Sequence, residues 1–152
     1  MLRKLNGLLS SIIVPTSVES RPEHTLQLAT AVLLIEVMQS DADSTAQEQA
    51  TVLDILKERF DLTDVEVLQL SELGKRTASA ANDFQQFTSL INREMEVFEK
   101  IRIIEYMWQV AYVDRQISAH ENHLMRKIAA LLYISHGDYV AAKMRAKPAD
   151  LQ

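Results

Sequence analysis

The sequence predicts an all-α protein, folded as one compact, single-domain bundle of about seven to eight helices. Apolar residues recur at helical spacing along nearly the whole chain, and the alternating pattern of half-buried strands is absent. Glycine and proline number three each, too few for the many turns of an all-β chain. With 152 residues, of which 47% are hydrophobic, the chain is long enough to close one hydrophobic core.

Residues 1–24 are predicted to form an N-terminal arm and hinge ahead of a helical domain over residues 25–147. One helical stripe of the arm is formed by Leu2, Leu5, Leu9 and Ile12. We therefore expect a short amphipathic helix that packs on the domain. Contact with a membrane surface is the less favoured alternative, because two early bases are a weak anchor. No run of about 18 apolar residues is present, which predicts a soluble, cytoplasmic protein.

Seven helical segments are predicted along the domain, at residues 26–39, 45–60, 63–80, 84–92, 94–113, 118–133 and 135–147. The first and the fifth are strongly apolar, and the first is apolar on nearly every side, which is typical of a helix surrounded by others. The second, third, sixth and seventh begin at a serine or threonine, whose hydroxyl accepts a hydrogen bond from a first-turn N–H group. The fourth is short and connects the segments on either side of it.

Two stretches of the sequence match each other, residues 35–48 and residues 108–121. Both contain the element Asp-x-x-x-Ser/Thr-x-x-Glu, formed by Asp41, Thr45 and Glu48 and then by Asp114, Ser118 and Glu121. Self-similarity at a fixed spacing indicates a repeated structural unit. We therefore expect two pseudo-symmetric helix–loop–helix halves, over residues 26–80 and 96–147, which pack as one domain.

The shared element has a structural interpretation. Thr45 and Ser118 stand where a helix begins, and a glutamate follows three positions later, which is the pattern of a capping box. In such a box the hydroxyl accepts from a first-turn N–H, and the carboxylate accepts from the N–H of the capping residue. The same spacing is found for Thr63 with Glu66 and for Ser135 with Asp138.

The second interpretation is a site for a hard divalent cation. Asp41, Asp43 and the Thr45 oxygen alternate as at the start of an EF-hand loop. Ala46 and Val52, however, stand where that loop needs a glycine and a bidentate glutamate, so the loop is not an EF-hand by itself. If the two halves bring their loops together, a shared site for Ca²⁺ or Mg²⁺, in preference to Zn²⁺, would be formed by Asp41, Asp43, Glu48, Asp114 and Glu121. If the acids are caps only, no cofactor is expected.

His120 and His123 lie one helical turn apart and form a third candidate site. Together with Glu121 or Asp114 they would bind Zn²⁺ or Ni²⁺. Their spacing is not the i, i+4 pair of a zincin motif, and the helical periodicity turns His123 toward solvent.

Glu36 stands in an apolar helix that has no polar face. A carboxylate buried there must be paired, hydrogen-bonded or protonated. Arg102 and Arg126 are the predicted partners of a buried ion pair, and a protonated carboxyl group is the alternative.

The net charge of −5 is unevenly distributed. Residues 41–72 hold nine acids and two bases, a local charge of −7, whereas residues 101–152 hold five acids and seven bases, a local charge of +2. No basic stripe is present, which argues against a nucleic-acid partner. The chain has no cysteine, no phosphate-binding glycine loop and no nucleophile motif, which argues against an enzyme.

In three ordered stretches, at residues 33–41, 105–114 and 117–129, the sequence resembles the TerB-like family. This family covers the tellurite-resistance protein TerB and a domain of a membrane-anchored DnaJ-type co-chaperone. Relatives usually carry glycine after each loop aspartate, where this chain has Ala42 and Arg115. The resemblance implies a helical bundle associated with bacterial stress responses, with an acidic, metal-binding patch at Glu36, Asp41, Glu48, Asp114 and Glu121.

The predicted function is that of a TerB-like, non-enzymatic stress-response protein that acts by binding. Its predicted ligand is a protein partner, a second copy of itself, or a divalent cation at the acidic loops. A purely structural scaffold, in which the loop acids are helix caps, is the alternative. A metal-dependent hydrolase is the remote alternative, since it would also need a pocket beside the ion.

Overall fold

A computed structural model describes residues 22–40 and 45–151, and the described part of the chain is helical without a β-strand. Its seven α-helices are α1 (Pro22–Gln39), α2 (Ala46–Phe60), α3 (Asp64–Ala80), α4 (Gln85–Glu94), α5 (Val97–Ala111), α6 (Ala119–Leu131) and α7 (His136–Ala146). Single 3₁₀ turns follow α5 and α7, at Tyr112–Asp114 and Ala149–Leu151. The all-α prediction is confirmed. Residues 1–21 of the predicted N-terminal arm and hinge lie outside the described residues.

Two helix boundaries differ from the sequence-based expectation. Helix α1 begins at Pro22, inside the predicted hinge, because proline has the backbone angle of a first helical residue and lacks only an N–H that would be unpaired there. The predicted segment 94–113 is interrupted at its start. Met95 is extended, and Glu96 starts α5 with its own N–H donating to the Glu99 carboxylate at 3.0 Å.

Helices α1 and α5 form the centre of the bundle. Helix α1 makes its principal contacts with α2, α3, α4, α5 and α6, and α5 makes its own with α1, α2, α6 and α7. Their inward side chains include the fully buried Leu33, Ile35, Ile104, Met107 and Trp108. The apolar composition of both segments therefore reflects their central position, as the sequence predicted.

Equivalent helices of the two predicted halves make equivalent contacts. Within each half, the first helix packs along the third, so that α1 lies on α3 and α5 lies on α7. The second helix of each half also reaches the central helix of the other half, α2 against α5 and α6 against α1. Helix α4 lies between the halves and contacts α1 and α6.

Helix α3 approaches α1 closely at Gly74. A Cβ atom built on this glycine would lie 2.7 Å from Ile35 Cδ1 and 3.4 Å from Ala31 Cβ. The missing side chain therefore lets the two backbones pack together. Nowhere in residues 22–40 and 45–151 is a helix both long enough and apolar enough to span a membrane.

Candidate functional site

The two repeated loops each lead into a helix that starts with a complete capping box. At α2, the Glu48 N–H donates to Thr45 Oγ1 at 3.2 Å, and the Thr45 N–H donates to Glu48 Oε1 at 3.0 Å. At α6, the Glu121 N–H donates to Ser118 Oγ and the Ser118 N–H donates to Glu121 Oε1, both at 3.0 Å. The prediction of capping is confirmed for both copies.

Both capping glutamates are buried, with 0% of Glu48 and 1% of Glu121 exposed. Capping glutamates on a surface helix normally keep one carboxylate oxygen in water. Here Oε1 accepts the capping bond, and Oε2 is inaccessible to solvent as well. Burying a charged carboxylate is unfavourable unless other groups compensate the charge. The two loops therefore place buried negative charge at equivalent positions of the two halves.

A third buried capping box lies outside the two repeated loops, after a short turn without their Asp-x-x-x-Ser/Thr spacing. At the start of α3, the Glu66 N–H donates to Thr63 Oγ1 at 3.2 Å and the Thr63 N–H donates to Glu66 Oε1 at 2.8 Å. Glu66 is as buried as Glu48. At α7 only half of the predicted arrangement forms, because the Asp138 N–H donates to Ser135 Oγ while the shorter aspartate does not reach back.

The second loop makes a tight turn around Asp114. Asp114 ends the 3₁₀ turn, and its Oδ1 accepts a hydrogen bond from the Gln116 N–H at 3.1 Å. Arg115 has φ 68°, the left-handed conformation that glycine adopts most easily. The 3₁₀ turn packs against α2, so this loop lies on the opposite half of the repeat. Asp41 and Asp43 of the first loop lie outside the described residues.

Glu36 is half-buried on α1, less than the apolar sequence around it predicted. Burial raises the pKa of this carboxyl group above its ordinary value. The predicted ion pair is wrong, because no described arginine forms a salt bridge with Glu36. Arg102 lines a groove between α2 and α5, and Arg126 lies beside Tyr139. The packing of the helices therefore directs both guanidinium groups away from Glu36.

The predicted zinc or nickel site does not form. His120 and His123 are exposed on α6, whereas Glu121 between them points inward to its cap. Over residues 22–40 and 45–151, no three histidine, aspartate or glutamate side chains come close enough to hold a metal ion. The described members of the acidic set, Glu36, Glu48, Asp114 and Glu121, therefore do not form a site without the first loop.

An aromatic cluster surrounds Trp108, which is fully buried. Its ring lies 5.8 Å from that of Tyr112 and 5.7 Å from that of Tyr139, and Lys143 Nζ lies 4.8 Å above it. Tyr139 and Lys143 belong to α7, and no spacing in the sequence places them beside α5.

Residues 27–144 match the family model described as "Tellurite resistance protein TerB". The chain belongs to the TerB family. The match covers α2 to α6 entirely and the greater part of α1 and α7, together with both capping boxes of the repeated loops, so the resemblance drawn from the loop motifs is confirmed. Neither the comparison with curated proteins nor that with solved structures gave a match. Membership of the TerB family associates the chain with tellurite resistance through the family's description.

Proposed function

We propose that this TerB-family chain is a non-enzymatic binding protein of tellurite resistance that takes Ca²⁺ or Mg²⁺ between its two acidic loops. The observation that carries the proposal is the burial of Glu48 and Glu121 at equivalent positions, each one helical turn after a loop that holds an aspartate. A hard cation is a suitable counter-charge for carboxylate oxygens removed from water. Asp41, Asp43 and Asp114 would complete its ligands.

The capping boxes support a rigid position for these carboxylates. Each glutamate is held at its Oε1 by a backbone N–H at 3.0 Å, so its side chain has one conformation before any ion arrives. Preorganised ligands lose little conformational entropy when they bind. Glu36 is assigned to the outer part of the site, because burial raises the pKa of its carboxyl group, and a group that protonates more readily is a poorer primary ligand.

Thermal unfolding tests the cation proposal. The protein is unfolded in EDTA and then in the presence of Ca²⁺, Mg²⁺, Mn²⁺ or Zn²⁺. An ion present at about a hundred times its Kd stabilises the native state by about 2.7 kcal/mol. For a chain of this size that corresponds to a rise in Tm of roughly 5–10 °C. We expect this rise with Ca²⁺ or Mg²⁺.

Glutamine variants separate capping from metal binding. Glutamine also serves as the reaching residue of a capping box, so Glu48→Gln and Glu121→Gln keep the caps and remove the charges. Glu66→Gln is the matched control, because Glu66 is equally buried and caps a helix outside the two repeated loops. Loss of the ion response in the first two variants but not in the third supports the site. An ion response that survives in all three variants would sink it.

A scaffold role is the second candidate, and one observation favours it. Phe98 at the start of α5 is 72% exposed and lines a cavity of 320 Å³ with Arg59 and Tyr106. An exposed aromatic ring of this kind is a common anchor of protein interfaces. The opposite charges of the two sequence halves favour a second copy, bound head to tail, as the occupant. Light scattering of the wild type and of Phe98→Ser, at several concentrations, would detect such association and its loss.

A further inference from the structure

A small cavity opens between α6 and α7. Its volume is 220 Å³, and it is lined by Arg126, Ala129, Ala130, Ile134, His136 and Tyr139. None of these six residues is acidic. The cavity also lies within the part of the chain that carries a local charge of +2.

The Tyr139 side chain brings an unused polar group to this cavity. Tyr139 is 5% exposed, and its hydroxyl proton has no acceptor within the described residues. Burial raises the pKa of this hydroxyl, and Arg126 opposes the rise by its charge and by a side-chain contact with the hydroxyl oxygen. Because a guanidinium only donates hydrogen bonds, this contact leaves the hydroxyl proton unused. A buried hydroxyl without an acceptor is unfavourable. A ligand atom that accepts from it would remove that penalty.

The first turn of α7 adds further donors. Ser135 caps the helix and accepts from the Asp138 N–H, while the N–H groups of His136 and Gly137 make no hydrogen bond within the described part of the chain. These amides stand at the positive end of an 11-residue helix. The exposed Asp138 carboxylate is in the same turn but does not line the cavity.

We propose that this cavity binds a small tetrahedral oxyanion of the phosphate or phosphomonoester class. The Arg126 guanidinium supplies the charge, the Tyr139 hydroxyl donates one hydrogen bond, and the first amides of α7 donate the others. Helix N-termini combined with an arginine are a recurrent way of holding such anions. This site is independent of the cation site, because the two share no residue.

The groove between α2 and α5 provides an internal comparison. It also contains an arginine and a tyrosine, Arg102 and Tyr106, in a cavity of 350 Å³. Asp54 and Glu58 line the same groove. These carboxylates repel an oxyanion, so we expect no binding there. Arg102→Gln and Tyr106→Phe are therefore matched controls for changes at Arg126 and Tyr139.

The single tryptophan reports on the cavity. Trp108 is the sole tryptophan of the chain, and its ring lies 5.7 Å from the Tyr139 ring. Inorganic phosphate, and in a parallel arm O-phosphoserine, is titrated into the full chain at constant ionic strength with NaCl as the balancing salt. We expect a saturable change in Trp108 fluorescence together with a rise in Tm. The titration that gives the lower Kd identifies free phosphate or a phosphomonoester as the better ligand.

Two variants decide whether the response belongs to this cavity. Arg126→Gln is expected to weaken binding by at least about tenfold, since bonds to a charged group are lost. Tyr139→Phe removes one donor and keeps the ring packed on Trp108, so it should fold at least as well as the wild type and bind several-fold more weakly. The control variants should bind like the wild type. The proposal is overturned if fluorescence and Tm both fail to respond to millimolar phosphate, or if Arg126→Gln and Tyr139→Phe respond as the wild type does.

Discussion

Glu36 illustrates how a single carboxyl group makes the stability of the protein depend on pH. Burial raises its pKa in the native state, whereas in the unfolded chain the group has its ordinary value. Between these two pKa values the native protein binds more protons than the unfolded chain. Stability contributed by this group is therefore greatest below the ordinary pKa of Glu36 and is lost as the pH rises through the raised one.

Glu36→Gln is expected to remove this pH dependence. In EDTA at pH 7, where the wild-type carboxyl group is costly to ionise, the variant should melt at the same temperature or slightly higher. At pH 4 the wild type recovers its protonated form, so it should gain stability relative to the variant. Calorimetric scans of both proteins at the two pH values measure the difference. A large fall in the Tm of the variant at pH 7 would indicate an ion pair of Glu36 with a part of the chain that is not described.

Arg115 occupies a position where a left-handed backbone is required and the residue is not glycine. Its φ of 68° is unfavourable for a residue with a Cβ atom. Its side chain forms a 2.6 Å ion pair with Asp150, but both groups are half-exposed or more, and such surface pairs contribute little. Arg115, at a position where the resemblance to TerB relatives predicts glycine, therefore leaves strain in the second loop.

Two substitutions at Arg115 separate the strain from the ion pair. Arg115→Ala loses the pair and keeps the strained backbone, whereas Arg115→Gly loses the pair and relieves the strain. We expect the glycine variant to be more stable than the alanine variant by about 1 kcal/mol. Urea unfolding of the two variants measures this difference directly. Equal midpoints would show that the loop holds Arg115 without strain.

At the scale of helices, capping and close approach determine where each element lies. Capping boxes start α2, α3 and α6 at the residues where the sequence places serine or threonine. The role of Gly74, by contrast, cannot be read from the sequence, since an isolated glycine only lowers the helix propensity of the segment that contains it. The structure explains the glycine by the contact of α3 with Ile35 of α1.

Alanine substitutions at two glycines should have opposite effects. Gly137→Ala in the first turn of α7 meets no atom within 4 Å and should stabilise the protein by about 0.4–1 kcal/mol. Gly74→Ala places a methyl group 2.7 Å from Ile35 Cδ1, and Ile35 is fully buried. Overpacking of this kind costs about 1–3 kcal/mol, which outweighs the gain in helix propensity. Chemical denaturation of both variants tests the contrast. A stabilised Gly74→Ala protein would contradict the close approach of α3 and α1.

At the scale of the whole molecule, the two central helices bind the halves into one unit. Helix α1 contacts helices of both halves, and α2 and α6 each reach the central helix of the opposite half. Neither half could bury both sides of its central helix alone. The two halves should therefore unfold together, as expected for a small domain with one core.

The unfolding of the two halves can be followed by two probes. Trp108 lies in the second half and reports its packing by fluorescence, whereas far-UV circular dichroism reports helices of the whole chain. We expect both probes to give the same midpoint in urea. An earlier fluorescence transition would show that α5 and α7 unpack while α1 to α3 remain folded.

The fold and the capped ends of the loops could be predicted from the sequence because their signals are local. Helical periodicity and the Ser/Thr-x-x-Glu pattern depend on residues within one or two turns of each other, so seven helices and two capping boxes were expected close to where they lie. Because these signals are local, they could not give the correct partner for Glu36, and the predicted ion pair was wrong. A carboxyl group on an apolar helix signals burial, but its partner depends on which way distant side chains turn.

By itself, the sequence determined the all-α class, the repeated loops and the membership of the TerB family. Only the tertiary structure decided that Glu121 is buried beside the exposed His120, and that Arg102 and Arg126 leave Glu36 unpaired among the described residues. It also brought Arg126, Tyr139 and the start of α7 to one cavity. These relations join residues of different helices, and their distances follow from packing angles that no spacing along the chain specifies.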